Sequence, residues 1–307
     1  MRHLFVINPT AGKHTDPQEL IHEIGSIMES RPDTYEVHIT QFPHHGEELI
    51  RDAAEKSDEP LRVYVFGGDG TLNEAVNAAA GYDHVAITVC PTGSGNDFLK
   101  IFGDTQDQFA EIRNLVDGKE AVFDLIECNG RYSINLSSVG LDARVGVGMT
   151  DFKHLPLVSG KAAYNLSLVY NVLRSIRDHL VIELDGERLE GDFALVAICN
   201  GRYYGGGFCP VPQAMPDDNM LYFVLVKAVS RFQIATLVSK YGAGQGDQYP
   251  DLIRICRGRE LTIRSKKPAI AQLDGEKMVS DVLSFRLSPR KIHFIYPKNA
   301  SWAPALV

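Results

Sequence analysis

Gly67-Gly68-Asp69-Gly70-Thr71-Leu72-Asn73-Glu74 follows directly on the apolar run Arg62-Val63-Tyr64-Val65-Phe66 and leads into a helical pattern, Leu72 through Ala80. A strand that breaks into glycines, offers one carboxylate and then opens a helix suits nucleotide phosphates and their metal, because small residues let backbone N–H groups approach an anion. Outward from this turn, the first 125 or so residues alternate short apolar runs with helical periodicity, and strands are expected at 3–7, 35–40, 62–66, 85–90 and 121–126. Residues 1–125 therefore read as an α/β domain, a doubly wound parallel sheet flanked by helices.

After Asp124 the texture changes to many period-two segments, with strands expected among others at 132–139, 261–264 and 270–273, which predicts a β-rich, sandwich- or barrel-like second domain over 126–290. Helical inserts are expected at about 161–178 and 231–241, the first a packed core helix with the wide apolar face Tyr164-Leu166-Leu168-Val169-Val172-Leu173-Ile176. Periodicity leaves the tail, about 291–307 with its strand Ile292–Tyr296, able to return to the first domain. At 307 residues and 44% hydrophobic content the chain can bury a full core in each of two domains. A net charge of −8 argues against general nucleic-acid binding, since no basic excess exists to displace counterions from a phosphate backbone. Five scattered cysteines without a C-x-x-C pair read as reduced thiols in a cytoplasm, and no apolar stretch reaches membrane-spanning length.

In an open parallel sheet, the loops beyond the carboxyl ends of the strands converge on the ligand. Three loops here carry suitable chemistry: Asn8-Pro9-Thr10-Ala11-Gly12-Lys13, Gly67–Glu74, and Pro91-Thr92-Gly93-Ser94-Gly95-Asn96-Asp97. Any one of them alone reads as a tight glycine turn. Lys13 reads equally as a phosphate ligand or a solvated surface charge. Asp69, an acid among glycines, has little structural reason to be there and a good one as a magnesium or hydroxyl partner.

These three motifs resemble the nucleotide-binding motifs of the diacylglycerol kinase catalytic-domain family, which includes soluble bacterial lipid kinases and sphingosine and ceramide kinases. The resemblance continues, in the family's order, through Gly140-Leu141-Asp142-Ala143, Asn200-Gly201 with Gly205-Gly206-Gly207, Pro212 to Asp218, and Leu273-Asp274-Gly275-Glu276. It implies a kinase with ATP on the first domain and the acceptor lipid entering against the second, with magnesium as cofactor. Asn8, Pro9, Gly12, Lys13, Thr40, Gly67, Gly68, Asp69, Gly70, Thr71, Asn73, Glu74, Ser94, Gly95 and Asn96 would surround the nucleotide, and Asp69 and Asp97 would support the magnesium–phosphate side. Thr40 is carried by its position at a strand end.

For the base that accepts the attacking hydroxyl's proton, the resemblance offers Glu276 first and Asp274 second. Asp-Gly between strands is also a strong hairpin signal, and the same letters at Leu184-Asp185-Gly186-Glu187 read as a plain hairpin turn. The segment Met215-Pro216-Asp217-Asp218-Asn219-Met220 resembles the family's second-domain metal loop, with Asp218 and the carbonyls of Met215 and Met220 as magnesium ligands. Asn219 stands where the family usually has glycine and Ser94 where it usually has threonine. Asn tolerates the left-handed conformation, and serine keeps the hydroxyl.

The basic stretch Arg254, Arg257, Arg259, Arg264, Lys266 and Lys267 reads as a solvated hairpin face ahead of a docking site for anionic head groups. His44-His45 has no third ligand to make a metal site, and Gly205-Gly206-Gly207 reads equally as a hinge, a lipid-entry loop or backbone crowding. The expected activity is phosphorylation of a lipid hydroxyl, as in diacylglycerol, at the inner membrane face by a cytoplasmic enzyme in peripheral contact with its substrate's membrane, with a homodimer left open. The rivals are an NAD kinase-like phosphotransferase, whose family also carries a Gly-Gly-Asp-Gly-Thr loop, and a catalytically silent nucleotide- or lipid-binding regulator. A dehydrogenase is disfavoured because no loop has G-x-G-x-x-G with an acid after the next strand.

Overall fold

The computed structural model describes residues 1–12, 16–93, 95–145 and 176–302. The chain divides into two compact units, one formed by Met1–Phe123 with the segment that starts at Pro289, the other by Asp124–Ser288.

In the first unit, β1 (Arg2–Ile7), β3 (Leu61–Gly67) and β4 (Val85–Pro91) are apolar along almost their whole length and buried on both faces, as strands covered by helices on each side must be. The edge strand β2 (Thr34–Ile39) is half-exposed. These four run parallel, and β15 (Ile292–Tyr296) adds to β4 in parallel before β5 (Lys119–Phe123) closes the sheet antiparallel to β15. The order β2-β1-β3-β4-β15-β5 places the chain's reversal of direction across the sheet between β1 and β3. That switch point is where a crevice opens beyond the strand ends. Helix α1 (Pro17–Met28) starts where Asp16 accepts the Gln18 N–H at 2.8 Å with proline in its first turn, and α2 (His45–Glu55) and α3 (Asp69–Ala79) complete the crossovers.

The expected strand 121–126 is two pieces, β5 and β6 (Ile126–Cys128). Between them Asp124 turns its N–H to the Pro216 carbonyl at 2.6 Å, so the chain leaves one sheet and enters the other unit there. The expected strand 132–139 also divides, into β7 (Arg131–Ser133) and β8 (Leu136–Gly140). Its central N–H groups are taken by the Asp274 carboxylate and are lost to the ladder.

The second unit is antiparallel. Its remaining strands are β9 (Asp178–Leu184), β10 (Glu187–Cys199), β11 (Leu221–Lys227), β12 (Ile253–Gly258), β13 (Glu260–Leu273) and β14 (Glu276–Leu287). Because β9 pairs with both β10 and β13, and β8 also pairs with both, these four strands close a barrel. Val139, Ile182, Val196, Ile198 and Ile263, on these four strands, belong to one buried apolar cluster that also takes in Phe285 of β14. The two expected strands at 261–264 and 270–273 are one, β13, with a register shift between Arg264 and Ala269 at Pro268, which has no N–H for the ladder. Helix α5 (Arg231–Gly242) begins at Ser230 with a reciprocal capping box to Gln233, after the short α4 (Ile112–Val116) of the first unit. The expected core helix at 161–178 lies outside the described residues except at its end, where Ile176 is buried and Asp178 already opens β9.

One core contact of β1 sets a pH response. His3 is buried with its Nδ1 3.0 Å from the Tyr64 hydroxyl, and burial pushes its pKa from 6.5 down to about 4. The unfolded chain takes up this proton below 6.5 and the folded chain only near 4, so stability is lost as pH falls through that window. Urea unfolding from pH 7 to pH 4 is expected to show a loss of up to about 3 kcal/mol that His3→Phe abolishes.

Candidate functional site

The three glycine-bearing loops meet at the switch point. Asn8, the first residue past β1, donates its N–H to the Phe66 carbonyl at 3.0 Å, and its side-chain oxygen accepts the Thr10 N–H and hydroxyl at 3.0 and 2.8 Å. Its amide donates to the Thr71 hydroxyl at 3.1 Å, which ties the first loop to the second. The Thr71 side chain occupies the space that a Cβ on Gly67 would take. Gly67 in turn offers its carbonyl to the N–H groups of Thr92 and Gly93, both at 3.0 Å, and binds the second loop to the third. A Cβ on Gly12 would overlap the Thr92 carbonyl, so the first loop also lies against the third.

The expected phosphate turn is the first turn of a helix. Helix α3 begins at Asp69, its N-cap is Gly68, and no side chain caps it. A helix N-terminus left open among glycines presents backbone donors and the positive end of the macrodipole.

Asp69 has a structural role that the sequence reading did not find. Its Oδ1 accepts the Asp97 N–H at 2.8 Å, and its Oδ2 lies where a Cβ on Gly95 would be. It is a strut between the second and third loops. Asn96 sits beside it in the left-handed region, φ 49°, and donates to the Gly93 carbonyl at 2.9 Å. Asp97 is buried and ion-paired with Lys100.

Three other predicted residues have partners of their own. Glu74 accepts the His44 N–H at 3.0 Å and so anchors the start of α2. Asn73 is buried within α3, where the Asn77 amide donates to its side chain at 3.0 Å and to its carbonyl at 2.9 Å. Thr40 donates its N–H to the Ile7 carbonyl at 2.9 Å, which places it at the end of the sheet beside β1. Lys13 and Ser94 lie outside the described residues.

In the second unit, Asp274 and Gly275 join β13 to β14 with φ of 48° and 97°, the two positive values of a type I′ turn. The Asp274 carboxylate accepts the Ser133 hydroxyl at 2.7 Å and the N–H groups of Ile134, Asn135 and Leu136 at 2.8, 3.2 and 2.9 Å. With four donors aimed at it, this carboxylate serves as an anchor. The Glu276 side chain is exposed and has no hydrogen bond or ion pair among the described residues. The second copy of the letters also forms a turn, with φ of 44° and 89° at Asp185 and Gly186, but Glu187 is held by Arg254 through two bonds of 2.8 and 2.6 Å.

In the loop 215–220, Asn219 adopts the left-handed conformation, φ 59°, in which glycine is usual. Asp218 accepts the Met220 N–H and the Tyr222 hydroxyl, both at 3.0 Å, and burial raises its carboxyl above the ordinary range. No donor among the described residues reaches the carbonyl oxygens of Met215 or Met220. Asp124, to which the sequence reading gave no role, is fully buried beside this loop and accepts the Asn219 N–H at 2.7 Å. A lone acid interrupting the apolar run Ala121-Val122-Phe123-Asp124-Leu125-Ile126 was the available signal. Among the described residues no three His, Cys, Asp or Glu side chains are grouped to hold a metal. A cation here would draw on main-chain oxygens, which a hard divalent ion accepts.

Three of the six basic residues in the stretch are engaged. Arg254 and Arg264 pair with Glu187 and Glu183, and the Arg257 guanidinium lies 5.0 Å from the centre of the Tyr222 ring. No helix among the described residues is long and apolar enough to cross a membrane.

Residues 2–128 match the diacylglycerol kinase catalytic domain, and residues 135–296 match the YegS C-terminal NAD kinase beta sandwich-like domain. A Shewanella frigidimarina protein described as "Probable lipid kinase YegS-like" is 31% identical over 82% of this chain and 80% of its own length. A Pseudomonas aeruginosa protein of the same description is 30% identical over 76% of each chain. Among solved structures, a diacylglycerol kinase from Bacillus anthracis superposes with a TM-score of 0.67 at 19% identity, covering 100% of this chain and 98% of that one. An NAD kinase from Archaeoglobus fulgidus in complex with ATP gives 0.52 at 13% identity over 97% and 94%. These two likenesses show the fold alone.

Proposed function

The chain belongs to the YegS-like lipid kinase family, a diacylglycerol kinase catalytic domain joined to a YegS C-terminal domain, and from that premise we propose that it transfers the γ-phosphoryl group of ATP to a hydroxyl of a lipid such as diacylglycerol. The observation that carries this reading is the mutual bonding of three glycine-bearing loops at the switch point, around the open N-terminus of α3. Backbone N–H groups of Gly68, Gly70 and Thr71 are the proposed phosphate donors, and Asn8 and Thr71 hold the loops in register for them.

Glu276 is the proposed general base. It takes the proton of the acceptor hydroxyl as that oxygen bonds to the γ-phosphorus, and the bond from phosphorus to the bridging oxygen breaks to release ADP. Exposure and the lack of a partner suit it to meet a substrate, whereas Asp274 is committed to the 133–136 backbone. The NAD kinase reading shares the fold and the Gly-Gly-Asp-Gly-Thr loop; the catalytic-domain match and the curated relatives favour the lipid. Incubation of the full chain with ATP, magnesium, NAD and a whole-membrane lipid extract, followed by mass spectrometry, tests this. A phosphorylated lipid is the expected product; NADP alone would overturn the proposal.

Magnesium is proposed at the loop 215–220, with Asp218 and the carbonyls of Met215 and Met220 as ligands. The fit rests on the two unengaged carbonyls and on two neighbouring carboxylates, the partly buried Asp218 and the buried Asp124, whose charge raises the pKa of Asp218. There the ion would supply fixed positive charge that holds the loop. Magnesium at a hundredfold excess over its Kd is expected to stabilise the protein by about 2.7 kcal/mol in thermal unfolding. Asp218→Ala should erase that increment.

A further inference from the structure

The two Leu-Asp-Gly-Glu turns differ in what holds them, and the difference points to a residue outside the motif. A two-residue hairpin leaves the N–H of its second turn residue without a ladder partner. At the 274–275 turn, the Gly275 N–H is taken by the Gln272 side-chain oxygen at 2.7 Å. The Gln272 amide then donates to the Ser138 hydroxyl at 3.1 Å, and Ser138 donates to the Asp142 carboxylate at 2.7 Å. Asp142 also bonds the Tyr204 hydroxyl, which lies 3.2 Å from that of Tyr241. Gln272 and Ser138 are buried, and they face each other in the β13–β8 register. On the other side of the same turn, Asp274 donates its N–H to the Leu136 carbonyl at 3.0 Å and gathers the 133–136 amides.

The 185–186 turn supplies an internal control. The position equivalent to Gln272 is Glu183, which is exposed and pairs with Arg264 at the surface. Gly186 has no side-chain partner among the described residues, and Glu187 is tied to Arg254. Both turns are anchored through their aspartate, since Asp185 accepts the N–H groups of Arg259 and Glu260 at 3.2 Å. Only the 274–275 turn adds a buried chain of side chains on its glycine N–H and leaves its glutamate side chain unpaired among the described residues.

We propose that Gln272, braced by Ser138 and Asp142, is a positioning residue that fixes the Gly275–Glu276 peptide and thereby aims the Glu276 carboxylate at the acceptor hydroxyl. The inference rests on the reading of Glu276 as the base. A base held within a fraction of an ångström by buried bonds needs no ordering at the moment of reaction, and a misplacement of about 1 Å costs about a hundredfold.

The test compares Gln272→Leu, Ser138→Ala and Glu276→Gln in the full chain, with ATP and a lipid acceptor identified by the product analysis above. Gln272→Leu is expected to lower kcat about tenfold to a hundredfold, leave KM for ATP unchanged and displace the acidic limb of the pH–kcat profile. Ser138→Ala removes only the brace, so a smaller change in the same direction is expected. Circular dichroism melts verify folding, and Ser138→Ala decides if Gln272→Leu does not fold. Wild-type kcat and an unmoved pH limb in the folded variants, with Glu276→Gln inactive, would overturn the positioning role and leave the base intact. An active Glu276→Gln would remove the base reading, and this inference with it.

Discussion

Glu276→Gln is expected to lower turnover by about 10² to 10⁴, the usual contribution of a positioned general base, with the fold and nucleotide affinity unchanged. The amide has the shape of the carboxyl and no capacity to accept the hydroxyl proton at neutral pH. Because the Glu276 side chain is exposed and has no hydrogen bond or ion pair among the described residues, its replacement removes no native side-chain bond, and any rate loss reports on chemistry. Glu187→Gln is the matched control, since it sits at the same position of an equivalent turn and loses only an exposed pair with Arg254. Steady-state kinetics with ATP titration and a thermal melt on each variant check the pair. Full activity in Glu276→Gln would remove the proposed base, and equal losses in both variants would assign the effect to hairpin stability.

Much of the molecule is legible in the residues because its signals are local. The strands at Arg2–Ile7, Leu61–Gly67 and Val85–Pro91 announce themselves as unbroken apolar runs, and the three loops that follow β1, β3 and β4 are glycine-rich for a reason that the contacts explain: Gly67, Gly12 and Gly95 each stand where another group must pass. What local pattern does not carry is which partner a polar side chain finds across a hundred residues. Asp69 reads as a free ligand, yet it bonds the Asp97 N–H. Glu74 belongs by spacing to the phosphate turn, yet points to His44. Asp274 reads as a reserve base, yet its four donors come from 133–136, and the same bonds break the strand expected at 132–139. Asp124 and Gln272 have no motif of their own and acquire a role only when the 215–220 loop is brought beside Asp124 and β13 beside β8.

Asp69 is where the second large effect is expected, and its two roles can be separated. Asp69→Ala removes both the acceptor of the Asp97 N–H and the charge at the mouth of α3, and should cost about 10² to 10³ in kcat together with nucleotide affinity. Loss of a hydrogen bond to a charged acceptor costs about 1.5–3 kcal/mol, so the third loop should loosen and the melting temperature fall. Asp69→Asn keeps an oxygen for the Asp97 N–H and discards the charge. If phosphoryl transfer uses that charge, Asn should restore ATP affinity and the melt while turnover stays low. Recovery of turnover in Asp69→Asn would assign the residue to loop geometry alone. Gly95→Ala approaches from the opposite side, because its Cβ must displace the Asp69 carboxylate without altering it. A turnover loss there close to that of Asp69→Ala, measured by calorimetry for ATP and by product formation for rate, would locate the requirement in where the carboxylate stands as much as in its presence.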